Sequence, residues 1–179
     1  PTKRITVLTV ARYTPRKGWM ELISAAKRLG DKFQFIAVGF GDLDLEAMTK
    51  EVGVDGFFTV FPKLNSSQIK VLMQSSDIFC LPSKYTEDEG SEGIPVVLME
   101  AMSMGLPIVT TSDGSITELV TRTIVEPGNI EALIEGLESV AIEIKNNDDR
   151  CAKNNRERVS NLHGADNILH VQKFFESLD

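Results

Sequence analysis

The chain has 179 residues, 42% of them hydrophobic and 25% charged, the balance of an ordinary globular domain with one substantial core. A formal charge of −7 disfavours nucleic acid or an anionic membrane surface as the main partner, and no apolar run approaches the ~20 residues of a membrane span. Cys80 in an apolar run and Cys151 in a polar one suggest neither a disulfide frame nor a metal site and fit a reducing cytoplasm, while the start at Pro1 fits an excised part of a longer protein.

Ile5 to Ala11 is a β-rich apolar run with no polar alternation beyond threonine, the pattern of a central parallel strand covered on both faces. The loop Arg12 to Gly18 carries Arg12, Arg16 and Lys17 to the carboxyl end of that strand, where ligands sit in open α/β sheets. Arg12 can grip a phosphate bidentately and Lys17 can act as a point charge; an exposed basic turn is the other reading. Met20, Ile23, Ala26 and Leu29 recur at helical spacing over Trp19 to Leu29, ending at Gly30. Phe33 to Val38 reads as a second strand and about Asp42 to Val52 as a helix. Between them, Gly39-Phe40-Gly41 lacks the third glycine of a dinucleotide fingerprint and follows the wrong strand, so it reads as a turn bringing backbone close to a ligand. Asp42 and Asp44 read as helix caps, not metal ligands.

Phe57 to Phe61 is a third strand, and Pro62-Lys63-Leu64 leads to Asn65 or Ser66 as the cap of a helix through about Gln74. Asp77 to Leu81 is a buried strand, followed by the acidic loop Lys84 to Gly90, read as a solvated, mobile segment in which Tyr85 could cover a ligand. Gly90 and Gly93 free the backbone before Pro95, which suits a first helical position. The amides of Gly93, Ile94 and Val96 would then be open donors at the positive end of a helix dipole, suited to a phosphate or sugar oxygen. Glu100 stands alone in an otherwise apolar helix, so a buried carboxylate is expected, satisfied by a vicinal diol such as a ribose or by a structural arginine or amides. Glu92 reads either as a ligand contact or as a solvated loop residue.

Pro107 to Thr110 is another strand, Asp113-Gly114-Ser115 a turn, Glu118 part of a short helix, and Ile124-Val125 a last short strand. Pro127-Gly128-Asn129 caps a helix from Ile130 to Lys145, and helices over about Asp148 to Asn161 and Ala165 to Leu178 close the chain. His163 and His170 have no partner cluster and read as surface residues. The alternation predicts a doubly wound α/β fold, Rossmann-like, with about six parallel strands and right-handed crossovers.

Glu92 followed by seven residues and Glu100, within EGIPVVLMEAMSMGLPIVTT, resembles the E-x7-E signature of GT-B glycosyltransferases of the retaining family GT4, with Pro95, Ala101-Met102, Gly105 and Pro107 in their family places. The resemblance extends from Ile5 to the closing helices and implies the C-terminal, donor-binding half of a GT-B enzyme. It implies that Glu100 holds the ribose of a nucleotide sugar. Glu92, Gly93, Ile94 and the amides through Pro95 and Val96 would contact the donor sugar and distal phosphate. Arg12 and Lys17 match the family's Arg-x4-Lys-Gly, with Ala11 where glycine is usual, and fall on the pyrophosphate; Arg16 is unassigned. Lys63 and Leu64, near Gly39, would lie beside the base, with Pro62 where many relatives have glycine.

The implied reaction transfers a sugar with retention, Arg12, Lys17 and the helix start balancing charge on the leaving diphosphate, with no metal or other cofactor. The acceptor, a sugar or lipid-linked molecule of the kind used in polysaccharide biosynthesis, would bind an N-terminal half outside these residues, which could also touch a membrane. The alternatives are a sugar-nucleotide epimerase, a phosphorylase, or a noncatalytic nucleotide-binding or receiver module. A receiver needs acids after its first strand and an aspartate after its third, where this chain has Arg12 and Pro62.

Overall fold

The computed structural model describes residues 4–148 and 150–163. Its strands are β1 (Ile5–Val10), β2 (Phe33–Val38), β3 (Phe58–Phe61), β4 (Ile78–Leu81), β5 (Ile108–Thr111) and β6 (Ile124–Val125). They form one all-parallel sheet in the order β3-β2-β1-β4-β5-β6. The helices are α1 (Trp19–Leu29), α2 (Leu45–Val52), α3 (Ser66–Ser75), α4 (Val96–Ser103), α5 (Ile116–Leu119), α6 (Ile130–Lys145) and α7 (Arg150–His163).

The continuous apolar strands follow from burial on both faces, since side chains alternate across a strand and each face carries a core. Ile78 and Cys80 of β4 point into one core with Trp19, Leu22, Leu133 and Leu137 of α1 and α6. Phe79 and Leu81 point into the other, with Met73, Leu98, Met102 and Ile116 of α3, α4 and α5. Burial raises the Cys80 thiol above its ordinary range and leaves it inert.

Local chemistry sets the helix ends. Asp44 caps α2, its carboxylate accepting the Ala47 amide at 3.0 Å, which leaves Asp42 outside the helix. Asn65 and Gln68 form a reciprocal capping box on α3 at 2.9 and 3.1 Å, and Asn129 caps α6 through the Ala132 amide at 3.0 Å. Pro95 is the cap of α4 rather than its first helical residue, with ψ at 123°. The predicted helix from Ala165 and residue His170 lie outside the described residues, as do the side chains of His163 and Cys151.

What positions a site is the break in strand order. From β1 the chain leaves toward α1 on one face, and from adjacent β4 toward α4 on the other, so the loops after these two strands diverge and open a crevice at their carboxyl ends. Among the described residues no helix is long and apolar enough to cross a membrane.

Candidate donor site at the carboxyl ends of the central strands

The loop after β1 is pinned from beneath. Tyr13 is buried, its hydroxyl donating to the Phe61 carbonyl at 2.5 Å and its ring meeting Trp19 edge-on at 5.2 Å. The Tyr13 carbonyl accepts the amides of Asp42 and Leu43 at 2.9 and 3.0 Å, and Trp19 Nε1 donates to the Arg12 carbonyl at 2.8 Å. Burial pushes the Tyr13 phenol up to about 12, keeping it a neutral donor. With its backbone so fixed, Arg12 projects an exposed side chain that makes no ion pair among the described residues. One turn of 3-10 helix, Pro15–Lys17, then carries Arg16 and Lys17 inward.

They meet Glu92, which is buried rather than solvated. Lys17 Nζ pairs with Oε1, Ser83 Oγ donates to the same oxygen at 2.7 Å, and Arg16 Nη1 lies 3.1 Å from Oε2. Burial by itself would raise this carboxyl, but the hydrogen bonds from Lys17 and Ser83 and the charges of Lys17 and Arg16 outweigh it and hold Glu92 below the ordinary glutamate value. Its backbone is gripped as firmly: the Glu92 amide donates to Asp113 Oδ2 at 3.1 Å and its carbonyl accepts the Ser115 amide at 3.1 Å. Gly114 between them has φ at 54°, and a Cβ there would sit 1.9 Å from the Glu92 carbonyl oxygen, so no other residue fits.

Glu100 corrects the expectation of a buried carboxylate. Leu98, Ala101 and Met102 turn α4 into the core, but Val96, at 63% exposure, and Glu100 stand on its open side. Glu100 lines a groove of about 440 Å³ between α3 and α4, with Lys70 and Ser103. The structural arginine considered as its partner does not exist among the described residues, where no protein group satisfies it. Gly93 is exposed, Ile94 and Pro95 half-buried, and no acceptor among the described residues takes the amides of Gly93, Ile94 or Val96.

On the other side of β1, Lys63 Nζ lies 5.3 Å from the centroid of the exposed Phe40 ring, and Gly39, Lys63 and Leu64 line an apolar cavity of about 180 Å³. Gly39 also packs closely within the fold, where a Cβ would meet the Ala11 carbonyl oxygen at 1.9 Å. The Lys84 to Gly90 segment is not a free loop. Thr86 and Gly90 exchange backbone bonds at 3.4 and 2.8 Å, and Lys84 Nζ reaches Glu21 Oε1 on α1 at 2.5 Å. Tyr85 remains 62% exposed. Lys17 and Glu92 are thus in contact, while Gly39, Lys63 and Leu64 form a second group and Glu100 lines a third surface. Among the described residues, no three His, Cys, Asp or Glu side chains are placed to hold a metal. Arg16, Ser83 and Asp113 carry no sequence signal of this role beyond the Asp113-Gly114-Ser115 turn.

The sequence profile of the family described as Glycosyl transferases group 1 matches residues 1–158. The chain belongs to that family. It is 39% identical over 127 residues to the amylovoran biosynthesis glycosyltransferase AmsK of Erwinia amylovora, a match covering 67% of this chain and 31% of that protein. Over 125 residues it is 33% identical to WcaL of Escherichia coli K12, a putative colanic acid biosynthesis glycosyltransferase, again covering 67% and 31%. Its fold superposes on sucrose-phosphate synthase of Thermosynechococcus elongatus with a TM-score of 0.83 at 22% identity, over 99% of this chain and 46% of that one. It also superposes on the C-terminal domain of a group 1 glycosyltransferase from Francisella tularensis with a TM-score of 0.74 at 20% identity, over 90% and 87%. The six-stranded fold is therefore that of the C-terminal half of a GT-B glycosyltransferase. The chain spans about a third of the length of these curated relatives and about half of the sucrose-phosphate synthase chain.

Proposed function

We propose that the chain is the donor-binding domain of a retaining glycosyltransferase that takes a sugar from a nucleoside diphosphate carrier, with the acceptor, a sugar or lipid-linked molecule, bound by another part of the whole protein. The observation that carries this reading is the crevice between β1 and β4, where Lys17 meets Glu92 directly ahead of the open amides of Gly93, Ile94 and Val96. That geometry suits an anion with a neutral, hydroxyl-bearing group attached. Lys17, Arg12 and the start of α4 would balance the charge growing on the departing diphosphate, so the charge balance calls on no metal ion or other cofactor. Glu92, held anionic, would accept a hydroxyl of the donor sugar, and Glu100, with no protein partner among the described residues, would accept the ribose diol. The cavity beside Phe40, Lys63 and Leu64 would take the base. The buried free thiol of Cys80 supports a reducing, cytoplasmic setting.

The test is a panel of nucleotide sugars offered to the full-length protein with simple acceptors, following released nucleoside diphosphate and assigning the product anomer by NMR. Transfer with retention is expected. An epimerised donor without transfer, or a product formed only with inorganic phosphate, overturns the reading.

A further inference from the structure

We infer that Arg16 is the standing counter-ion of Glu92, the group that lets Lys17 leave that carboxylate for the donor's diphosphate without stranding a buried charge. The inference rests on the donor reading and concerns a residue that reading leaves without a task.

Without a ligand, Glu92 has two cations on one carboxylate, Lys17 at Oε1 and Arg16 at Oε2, so the cluster carries one positive charge in excess. One of the two can move while the other suffices for neutrality. Lys17 is suited to moving, a compact ammonium on a flexible stem, whereas the planar guanidinium of Arg16 keeps a fixed geometry. Arg16 is also the better anchored. Its carbonyl accepts the Lys84 amide at 2.8 Å, tying the turn to the strand-end segment after β4, while its side chain, at 16% exposure, is about as covered as that of Lys17 at 12%. Its Nε is buried without an acceptor, so among the described residues Glu92 is the only partner of this guanidinium.

If Lys17 swung to a phosphate with no Arg16 present, Glu92 would keep the Ser83 hydroxyl alone. Removing one partner from a buried pair is costly because the other charge is left uncompensated, and Glu92 would answer by taking up a proton. No neighbour can substitute. Among the described residues Asp113 is itself an acid, already accepting the Glu92 amide, Lys84 is engaged by Glu21, and Arg12 is exposed and on the donor reading committed to the diphosphate. Arg16 is therefore a positioning residue, acting on the donor through Glu92 and through the freedom it gives Lys17.

Proton counting tests this directly. Adenosine, guanosine, uridine and thymidine diphosphates are titrated calorimetrically into the full-length protein in buffers of different ionisation enthalpy. Wild type and Arg16→Lys should take up the same number of protons. Arg16→Gln should take up as much as about one more per ligand, and its affinity should fall by up to about tenfold for each unit of rising pH near neutrality. Arg16→Gln combined with Glu92→Gln, having no charge to strand, should lose both the extra proton and the added slope, and it serves as the readable variant if the single substitution impairs folding. An Arg16→Gln protein with the wild-type proton count, or a double variant keeping the single variant's slope, overturns the role of Arg16 alone. A wild-type protein that binds none of the four diphosphates overturns the donor reading and this inference with it.

Discussion

Glu100→Gln separates a ligand-holding carboxylate from a structural one. Glu100 is exposed, lines the groove between α3 and α4 and has no partner among the described residues, so no described contact depends on its charge. The substitution should change folding stability by no more than about 0.5 kcal/mol, the range of ordinary surface changes. Binding should respond differently. A carboxylate taking two ribose hydroxyls makes charge-assisted bonds, and glutamine keeps the shape while replacing one acceptor by a donor. Hydrogen bonds to charged groups contribute about 1.5 to 3 kcal/mol, and the wet setting favours the lower end, so a loss of about 1 to 2 kcal/mol, roughly 5- to 30-fold in Kd, is expected. Calorimetry with the best-binding nucleoside diphosphate and its 2′,3′-dideoxy form provides the assay. The dideoxy ligand should bind wild type weakly and lose little more in the variant, because both changes remove the same contact. Unchanged affinity, or a fall of many degrees in melting temperature, would refute the assignment.

Arg12→Ala and Lys17→Ala should each weaken a nucleoside diphosphate far more than the free nucleoside, and the two losses should couple in a double-mutant cycle; equal losses for nucleoside and nucleotide would contradict a phosphate role. The depressed Glu92 carboxyl makes stability depend on pH. Its contribution is complete above the ordinary glutamate value of 4.5 and is lost as pH falls through its lower folded value, so the gap in melting temperature between wild type and Glu92→Gln should be widest near neutrality and close on acidification. Melting curves that stay parallel down to about pH 3 would show that the carboxylate is not stabilised by its cations.

What was legible in the sequence was whatever a short window encodes. Trp19–Leu29 and Ile130–Lys145 have the bounds their apolar spacing and caps predict, Phe33–Val38 stands as read, and strands covered on both faces show as unbroken apolar runs. Asn65 and Asn129 announced their helices because a cap acts on an amide three residues away. The failures involve partners far along the chain. Arg16 looked like one more exposed cation because its carboxylate lies 76 positions later, brought near only by the adjacency of β1 and β4. Glu100 is in fact exposed, because Val96, apolar but open to solvent, hides the open side of α4 from a reading of the pattern: an apolar residue can stand on a face that borders a groove as well as on one that borders the core. The close contact of Gly39 with the Ala11 carbonyl is likewise one that periodicity does not encode.

The same exposure governs how the 179-residue chain should behave by itself. Phe40 at 52% beside its cavity, Tyr85 at 62% in the segment after β4 and Val96 at 63% on α4 are open to solvent, and Arg12, Gly93 and Glu100 also face water. Solvent screens charge interactions at such positions: a pair worth about 4 kcal/mol at an effective dielectric of 20 falls to about 1 in bulk water. Half-buried Lys17 and buried Glu92 keep their strength but spend it on each other until a ligand competes. A nucleoside diphosphate should therefore bind this chain with a Kd of about 0.1 to 1 mM, near −5 kcal/mol, a range NMR titration reads well. The residues assigned to the donor lie at the carboxyl ends of the sheet and on the adjoining face of α4, and the described residues build no second wall for an acceptor, so sugar transfer should be absent here and recovered, with tighter nucleotide binding, in the full-length protein. Transfer by the 179-residue chain at a rate matching the full-length protein would show that one sheet's edge suffices, and the division into donor and acceptor halves would have to be abandoned.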